Sequence, residues 1–369
     1  MPGHAQPFSE AHEVSALVGL PPALRDLVDL LARRRRPRAN EDWLPLIATA
    51  NSCWLGPALS AALEGVPAGT VPEDVRDYLG IIAGMNRARS AAQHAQLLEA
   101  AGTLSAAGIT PILGKGTALL FTSADGDPDV RMMGDLDLAV AQEERVPARQ
   151  ALEAAGYAVW RAPNEDSDVL FRPTDPGPIE LHSPTPGHPA YALLDRLAIE
   201  PEAVTRNGIM VLIPPPTVRL LHLVLHDEIR DGGLYRGSFD LRHLFDGARL
   251  LASGRVDGTA LRTAPESRDE KRAVAEWLLL VALLTGVDGP VDPPSDDVRR
   301  SVDRRLMQTG HGIAPASIRL MRRGRWLLER IRRGETSPFH GFRRLLPSNN
   351  AEDGEEQPIR ALGYGPRIG

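Results

Sequence analysis

The chain opens with apolar positions at helical spacing. After residues 1–20, which show no clear period, PPALRDLVDLLARRRR places apolar side chains three and four apart behind a pair of prolines. EDWLPLIATANSCWLGPALSAAL and VRDYLGIIAGMNRARSAAQHAQLLEAAGTLSAAG continue that period to about residue 107. At Gly108 the pattern changes. ITPILG is short and β-prone, GTALLFTSA is helical, LDLAVA reads as a strand, and EERVPARQALEAAG reads as an amphipathic helix that stops at Gly156. YAVWRA, DVLFRP and PIELHS read as strands, the last two joined across the turn signal TDPG. Helical patterns return from about 190, in TVRLLHLVLHDEI, FDLRHLFDGARLL and DEKRAVAEWLLLVALLTG, and an Arg-rich helical stretch follows.

This pattern predicts an α+β protein, mostly helical, with a small mixed-sheet core. The expected division is a helical N-terminal region over 1–107, an α/β core over 108–185, a helical C-terminal region over 186–346, and a disordered tail over 347–369.

Composition narrows the function. Net charge is −6, which excludes a global electrostatic footprint for nucleic acid. One cysteine, Cys53, excludes a disulfide framework and a Cys-based zinc site. The N-terminal MPGHAQPFSEAHEV has neither a basic nor an apolar signal segment, and the apolar run at 277–287 is too short to span a bilayer, so a cytoplasmic protein is expected. Arginine replaces lysine almost everywhere. The two lysines are Lys115 and Lys271, and Lys115 stands inside GKG. A compact ammonium suits phosphate. RRRRPR at 33–38 and the Arg-rich stretch from Arg299 to Arg344 read as solvated helical surface.

RMMGDLDLAV carries the sharpest signal. Residues i and i+2 of a strand share a face about 6.6 Å apart, so Asp135 and Asp137 project together while Leu136 and Leu138 face a core. Two carboxylates this close repel unless a cation lies between them, and oxygen ligands select magnesium or manganese. Two such ions can clamp a phosphoryl group and its nucleophile. PIELHS supplies a third acid, Glu180, with His182 on the same face; Asp175 competes but sits in the turn. Upstream, Gly114 and Gly116 let the backbone around Lys115 approach a phosphate at the start of a helix. Arg131 stands just before the acids, where it suits a triphosphate. His222 and His226 have metal-ligand spacing without the Glu of HExxH, so they read as core side chains or as supports behind the metal ligands. GITPILGKGT has the wrong count for a Walker A loop, and GKGTAL lacks the third glycine of a dinucleotide fingerprint.

In order, GITPILGKG, RMMGDLDLAV, AAGYAVW and IELHS resemble the uncharacterised nucleotidyltransferase family of the polymerase-beta-like superfamily. The helical lead-in NRARSAAQHAQLLEAAGTLSAAGI and the later LLHLVLH and LFDGARLL extend the resemblance over most of residues 40–255, with Gly114 where that pattern carries leucine before Lys-Gly. The resemblance implies an enzyme that moves a nucleoside monophosphate from a nucleoside triphosphate such as ATP to an acceptor, which could be a small molecule, a peptide or tRNA. It implies magnesium or manganese on Asp135, Asp137 and Glu180, and nucleotide contacts from Gly114, Lys115, Gly116 and Arg131. His182 and His226 would stand behind the ligands. Two other readings stay open: a catalytically silent scaffold with the same fold, and an aminoglycoside-type resistance transferase.

Overall fold

The computed structural model describes residues 17, 19–122, 131–160, 167–183 and 192–310. Of residues 1–20, expected to be frayed, 1–16 and 18 lie outside these, while Leu17 and Leu20 are buried in the helical core; the expected tail over 347–369 and the Arg-rich stretch beyond residue 310 also lie outside.

Among the described residues the lead-in helices are α1 (Pro22–Leu31), α2 (Trp43–Ser52), α3 (Gly56–Ala62) and the long α4 (Glu73–Ala106). The core follows as β1 (Ile112–Leu113), α5 (Lys115–Thr122), β2 (Leu136–Ala139), α6 (Arg145–Ala154), β3 (Ala158–Val159), β4 (Ser167–Phe171) and β5 (Ile179–His182). After the short α7 (Leu193–Leu197) come β6 (Glu202–Arg206) and β7 (Ile209–Ile213). The remaining helices are α8 (Pro216–Val224), α9 (Gly233–Arg236), α10 (Leu241–Ala252), α11 (Gly258–Thr263), α12 (Arg268–Thr285) and α13 (Asp296–Gly310). A π-helical turn, Leu225–Arg230, continues α8.

The strands form one mixed sheet in the order β3-β4-β5-β2-β1-β7-β6. β2 runs parallel to β5 and antiparallel to β1. The sheet therefore continues past residue 185. The helical pattern expected from about 190 does not hold over 202–213, where EAVTR and IMVLI form a hairpin whose second strand pairs with β1 in parallel. Its two-residue turn is Asn207-Gly208, with φ of +53° and +76°. Positive φ at both central residues matches the right-handed twist of the flanking strands, which is why Asn-Gly favours this turn.

Two apolar cores hold the fold. Leu136, Leu138, Ile179 and Leu181 point from the sheet into a core shared with α5, α6 and the C-terminal half of α4, through Leu97, Ala100 and Leu104. Leu27, Leu46 and Leu59 of the lead-in pack instead with Leu220, Leu244, Trp277 and Leu306 from the C-terminal helices. The long α4 joins the two: Val75 and Leu79 enter the helical core and Leu97 onward the sheet core. Helices separated by the whole sheet in sequence thus enclose one apolar interior, because neither set alone buries its apolar stripe.

RRRRPR follows the end of α1. Arg33, Arg36 and Arg38 are exposed, as expected. Arg35 is folded back onto Asp26 (2.9 Å) and Glu41, and Arg34 donates to the carbonyl of Leu283 at 2.6 Å. The reading of the Arg-rich stretch as solvated surface fails at Arg305 of α13. Its side chain is 2% exposed and lies between Glu228 (2.9 Å) and Glu276 (3.2 Å).

Candidate active site

The alternation of β2 and β5 builds the site. With Leu136, Leu138, Ile179 and Leu181 committed to the core, Asp137, Glu180 and His182 must project from the other face. The parallel register sets Asp137 opposite Glu180 and Ala139 opposite His182. His182 Nε2 lies 3.2 Å from Asp137 Oδ1 and 3.4 Å from Glu180 Oε2. One ligand atom from each of Asp137, Glu180 and His182 falls within 4.8 Å of the others. Asp135 stands just before β2, two residues from Asp137.

Lys115 completes the cluster. β1 ends beside β2, where the Gly114 amide donates to the Asp137 carbonyl at 3.0 Å. The chain then turns into α5 through Lys115 at φ +39°, a left-handed conformation that a lysine rarely adopts. The turn carries Nζ to 3.0 Å from Asp137 Oδ1. Thr117, one turn into the same helix, accepts the Asp137 amide at 2.8 Å. A glycine is needed next to Lys115: a Cβ on Gly116 would lie 2.4 Å from Arg131 Nη1 and 2.7 Å from Met133 Sδ.

The charges are arranged unequally. Burial raises the Asp135 carboxyl, and Asp137 and Glu180 add to this, so that it is pushed up to about 7 against the opposing pull of Lys115 and Arg131. Burial also acts on Asp137, but Lys115 and His182 outweigh it and hold that carboxyl well below its ordinary range. For Glu180, His182 likewise outweighs burial and lowers the carboxyl. For His182, the two acids outweigh burial and raise the imidazole. A half-buried acid with two acidic neighbours, where two cations are already committed to one of those neighbours, favours a further positive charge.

Arg131 is brought near the acids but is held elsewhere: its Nε donates to Asp246 of α10 at 2.7 Å. His182 lies among the acids rather than behind them. His226, on the π-helical turn, pairs with Asp231 at 3.0 Å and groups with Asp227 and Asp231 instead. His222 is buried, and burial, with Lys115 and His226, keeps its imidazole well below its ordinary value. Asp175 is bonded to Arg172, at 3.0 Å from Nη2, in the turn where sequence placed it.

Several supporting residues escape a reading of strand motifs. Arg89 Nε (3.2 Å) and Gln93 Nε2 (3.4 Å) on α4 donate to the Met133 carbonyl, and Gln96 Nε2 donates to Gly177 at 2.9 Å. They fix the segments that lead into β2 and β5. A signal exists: positions 86, 90, 93 and 96 put four polar side chains at helical spacing, and all four are buried. Asp246 was visible only as one acid in LFDGARLL.

A mixed sheet in which an Asp-x-Asp segment enters one strand beside a parallel acidic strand, with a Lys-Gly turn entering a helix, defines a nucleotidyltransferase-like core. The chain belongs to the family described as uncharacterised nucleotidyltransferase, whose sequence profile matches residues 39–286. The crystal structure of an antigenic nucleotidyltransferase-like protein from Paracoccidioides brasiliensis aligns over 56% of this chain and 95% of that one, at 18% identity and a TM-score of 0.36. No curated protein matches the chain. Among the described residues no helix is long and apolar enough to cross a membrane.

Proposed function

We propose that the chain is a metal-dependent nucleotidyltransferase that moves a nucleoside monophosphate from a nucleoside triphosphate to an acceptor hydroxyl, amine or phosphate. The observation that carries this is the convergence of Asp137, Glu180 and His182 across adjacent parallel strands, with Lys115 3.0 Å from Asp137.

The donor set fits a hard divalent cation. Carboxylate oxygens dominate it, and Asp135 is a half-buried acid whose carboxyl is raised by its acidic neighbours. Asp135, Asp137 and Glu180 would hold magnesium or manganese, which supplies Lewis-acid neutralisation of the phosphate oxygens when bound. The rest of the work falls to the chain. Lys115 holds Asp137 and presents positive charge to the phosphates. Gly114 and Gly116 keep the backbone on either side of it free of side chains. Arg131 positions the loop before β2 through Asp246 and Gly116 and adds its charge to the field over Asp135. In the transfer, the acceptor atom bonds to the α-phosphorus and the bond from that phosphorus to the β-bridging oxygen breaks. Pyrophosphate leaves with the electron pair. Glu180, whose side chain is 16% exposed against 5% for Asp137, either completes the metal site or takes the acceptor's proton.

Two lysines in one chain provide an internal control. Lys115→Ala is expected to weaken binding of a magnesium–nucleotide by about tenfold or more, as loss of a charge-assisted contact does. Lys271→Ala, on the exposed face of α12, is expected to leave it unchanged. Nucleotide titrations that give the two variants the same affinity would remove Lys115 from the site.

A further inference from the structure

Next to the acids lies a cleft of about 410 Å³, bordered by residues of α5, α8 and α10. Its lining is one-sided in charge. Lys115, Arg219, Arg249 and Arg255 line it with one acid, Asp246, which already receives Arg131 at 2.7 Å; beyond the lining, Lys115 is bonded to Asp137 and Arg255 lies 3.9 Å from Glu202. The excess of basic side chains here runs against the chain's overall net charge of −6.

Arg219 is the informative member. Its Nε is buried and has no hydrogen-bond partner among the described residues. A buried guanidinium nitrogen without an acceptor is costly. Burial lowers the guanidinium below its ordinary value, Asp246 opposes this, and Arg131 and Arg255 reinforce it, so its surroundings favour an added negative charge. An apolar occupant would leave the Arg219 nitrogen without an acceptor, and a cation would be repelled. One carboxylate offers two oxygens and a single charge. A phosphoryl group offers more oxygens and up to two charges, and the guanidinium fork matches its geometry.

We infer that this cleft is a phosphoryl-binding subsite, gripped by Arg219, Arg249 and Arg255, for a ligand that reaches the acidic cluster past Lys115. The anion site stands on these residues alone, while the chemistry at the other end rests on the nucleotidyltransferase reading. The phosphoryl group can come from the terminal phosphates of the nucleotide or from a phosphate carried by the acceptor.

Inorganic phosphate is the probe, titrated into the full chain with EDTA and followed by phosphorus NMR. Wild type is expected to bind it saturably. Arg219→Gln is expected to weaken binding by about tenfold or more, and Arg255→Gln to weaken it as well, while Arg36→Gln, on an exposed remote arginine, leaves it unchanged. Arg255 has a side chain 67% exposed, so its variant reports on the cleft even where Arg219→Gln does not fold. A second titration follows saturation with magnesium and a non-hydrolysable nucleoside triphosphate. Blocked phosphate binding assigns the subsite to the nucleotide's own phosphates, and retained binding assigns it to the acceptor. No phosphate binding by wild type, or equal binding by wild type and both cleft variants, overturns the inference. If phosphate binds and the nucleotide does not, the subsite stands and the nucleotidyltransferase reading fails.

Discussion

Asp137→Asn is expected to reduce nucleotidyl transfer by roughly a hundred- to a thousandfold or more and, with no metal present, to destabilise the fold, whereas Asp135→Asn abolishes transfer without that loss of stability. The two acids are equivalent in the sequence motif and unequal in the structure. Asp137 is 3% exposed and is the partner of both Lys115 and His182, at 3.0 and 3.2 Å. An amide there leaves a buried ammonium without its counter-charge, and breaking a buried pair from one side costs about 3–5 kcal/mol. Asp135 is crowded by the charges of Asp137 and Glu180. Its replacement by a neutral amide removes repulsion, so the metal-free melting temperature is expected to hold or rise. Thermal melts of the two variants in EDTA, beside transfer assays in magnesium, separate these effects. Equal melting temperatures for both would show that Lys115 does not depend on Asp137.

The largest loss of stability is expected far from the chemistry. Arg305 lies fully inside the helical core between Glu228 and Glu276, and it also donates to the Ser238 carbonyl at 2.7 Å. Glu276 has a second cation in Arg272 at 2.6 Å; Glu228 relies on Arg305. Arg305→Met fills similar space but strands two buried carboxylates. A cost of about 3–5 kcal/mol follows, or a fall in melting temperature of roughly 10 °C for a domain of this size. The loss should depend on pH. Burial lifts Glu228 to about 7 in spite of Arg305, above its ordinary 4.5. A carboxyl raised on folding holds its proton in the folded state while the unfolded chain has released it, so its contribution to stability falls as pH rises from 4.5 through 7. Without Arg305 the carboxyl rises further. The deficit of Arg305→Met against wild type is therefore expected to be smaller at pH 5.5 than at pH 8. Melting curves at the two values check this, and a deficit that grows toward acid would contradict it.

Much of the core was legible because its physics is local. Alternation along LDLA and IELH assigns Leu136, Leu138, Ile179 and Leu181 to one face and leaves Asp137, Glu180 and His182 for the other, whatever the rest of the fold does. Lys115 stood out as the rare lysine in GKG, although its bond to Asp137 was not legible. What could not be read depends on long-range packing. The pairing of Arg131 with Asp246 spans two helical segments, and a strand motif says nothing about which helix returns beside it. The burial of Arg305 follows from α13 closing on α12 and on the π-helical turn after α8, which bring Glu276 and Glu228 to it. The hairpin over 202–213 is the exception: Asn207-Gly208 between two β-prone runs is a local signal that a search for helical periodicity passes over.

The most direct test of the central claim does not require the acceptor to be known. It is a calorimetric titration of magnesium, and separately manganese, into the full chain in the presence of a non-hydrolysable nucleoside triphosphate, compared with titration into the nucleotide alone. The account predicts saturable divalent binding to the protein–nucleotide complex that Asp135→Asn and Asp137→Asn each abolish while Lys271→Ala leaves it intact. Absence of any protein-dependent divalent binding with nucleotide present would contradict the account, because Asp137, Glu180 and His182 would then converge on nothing.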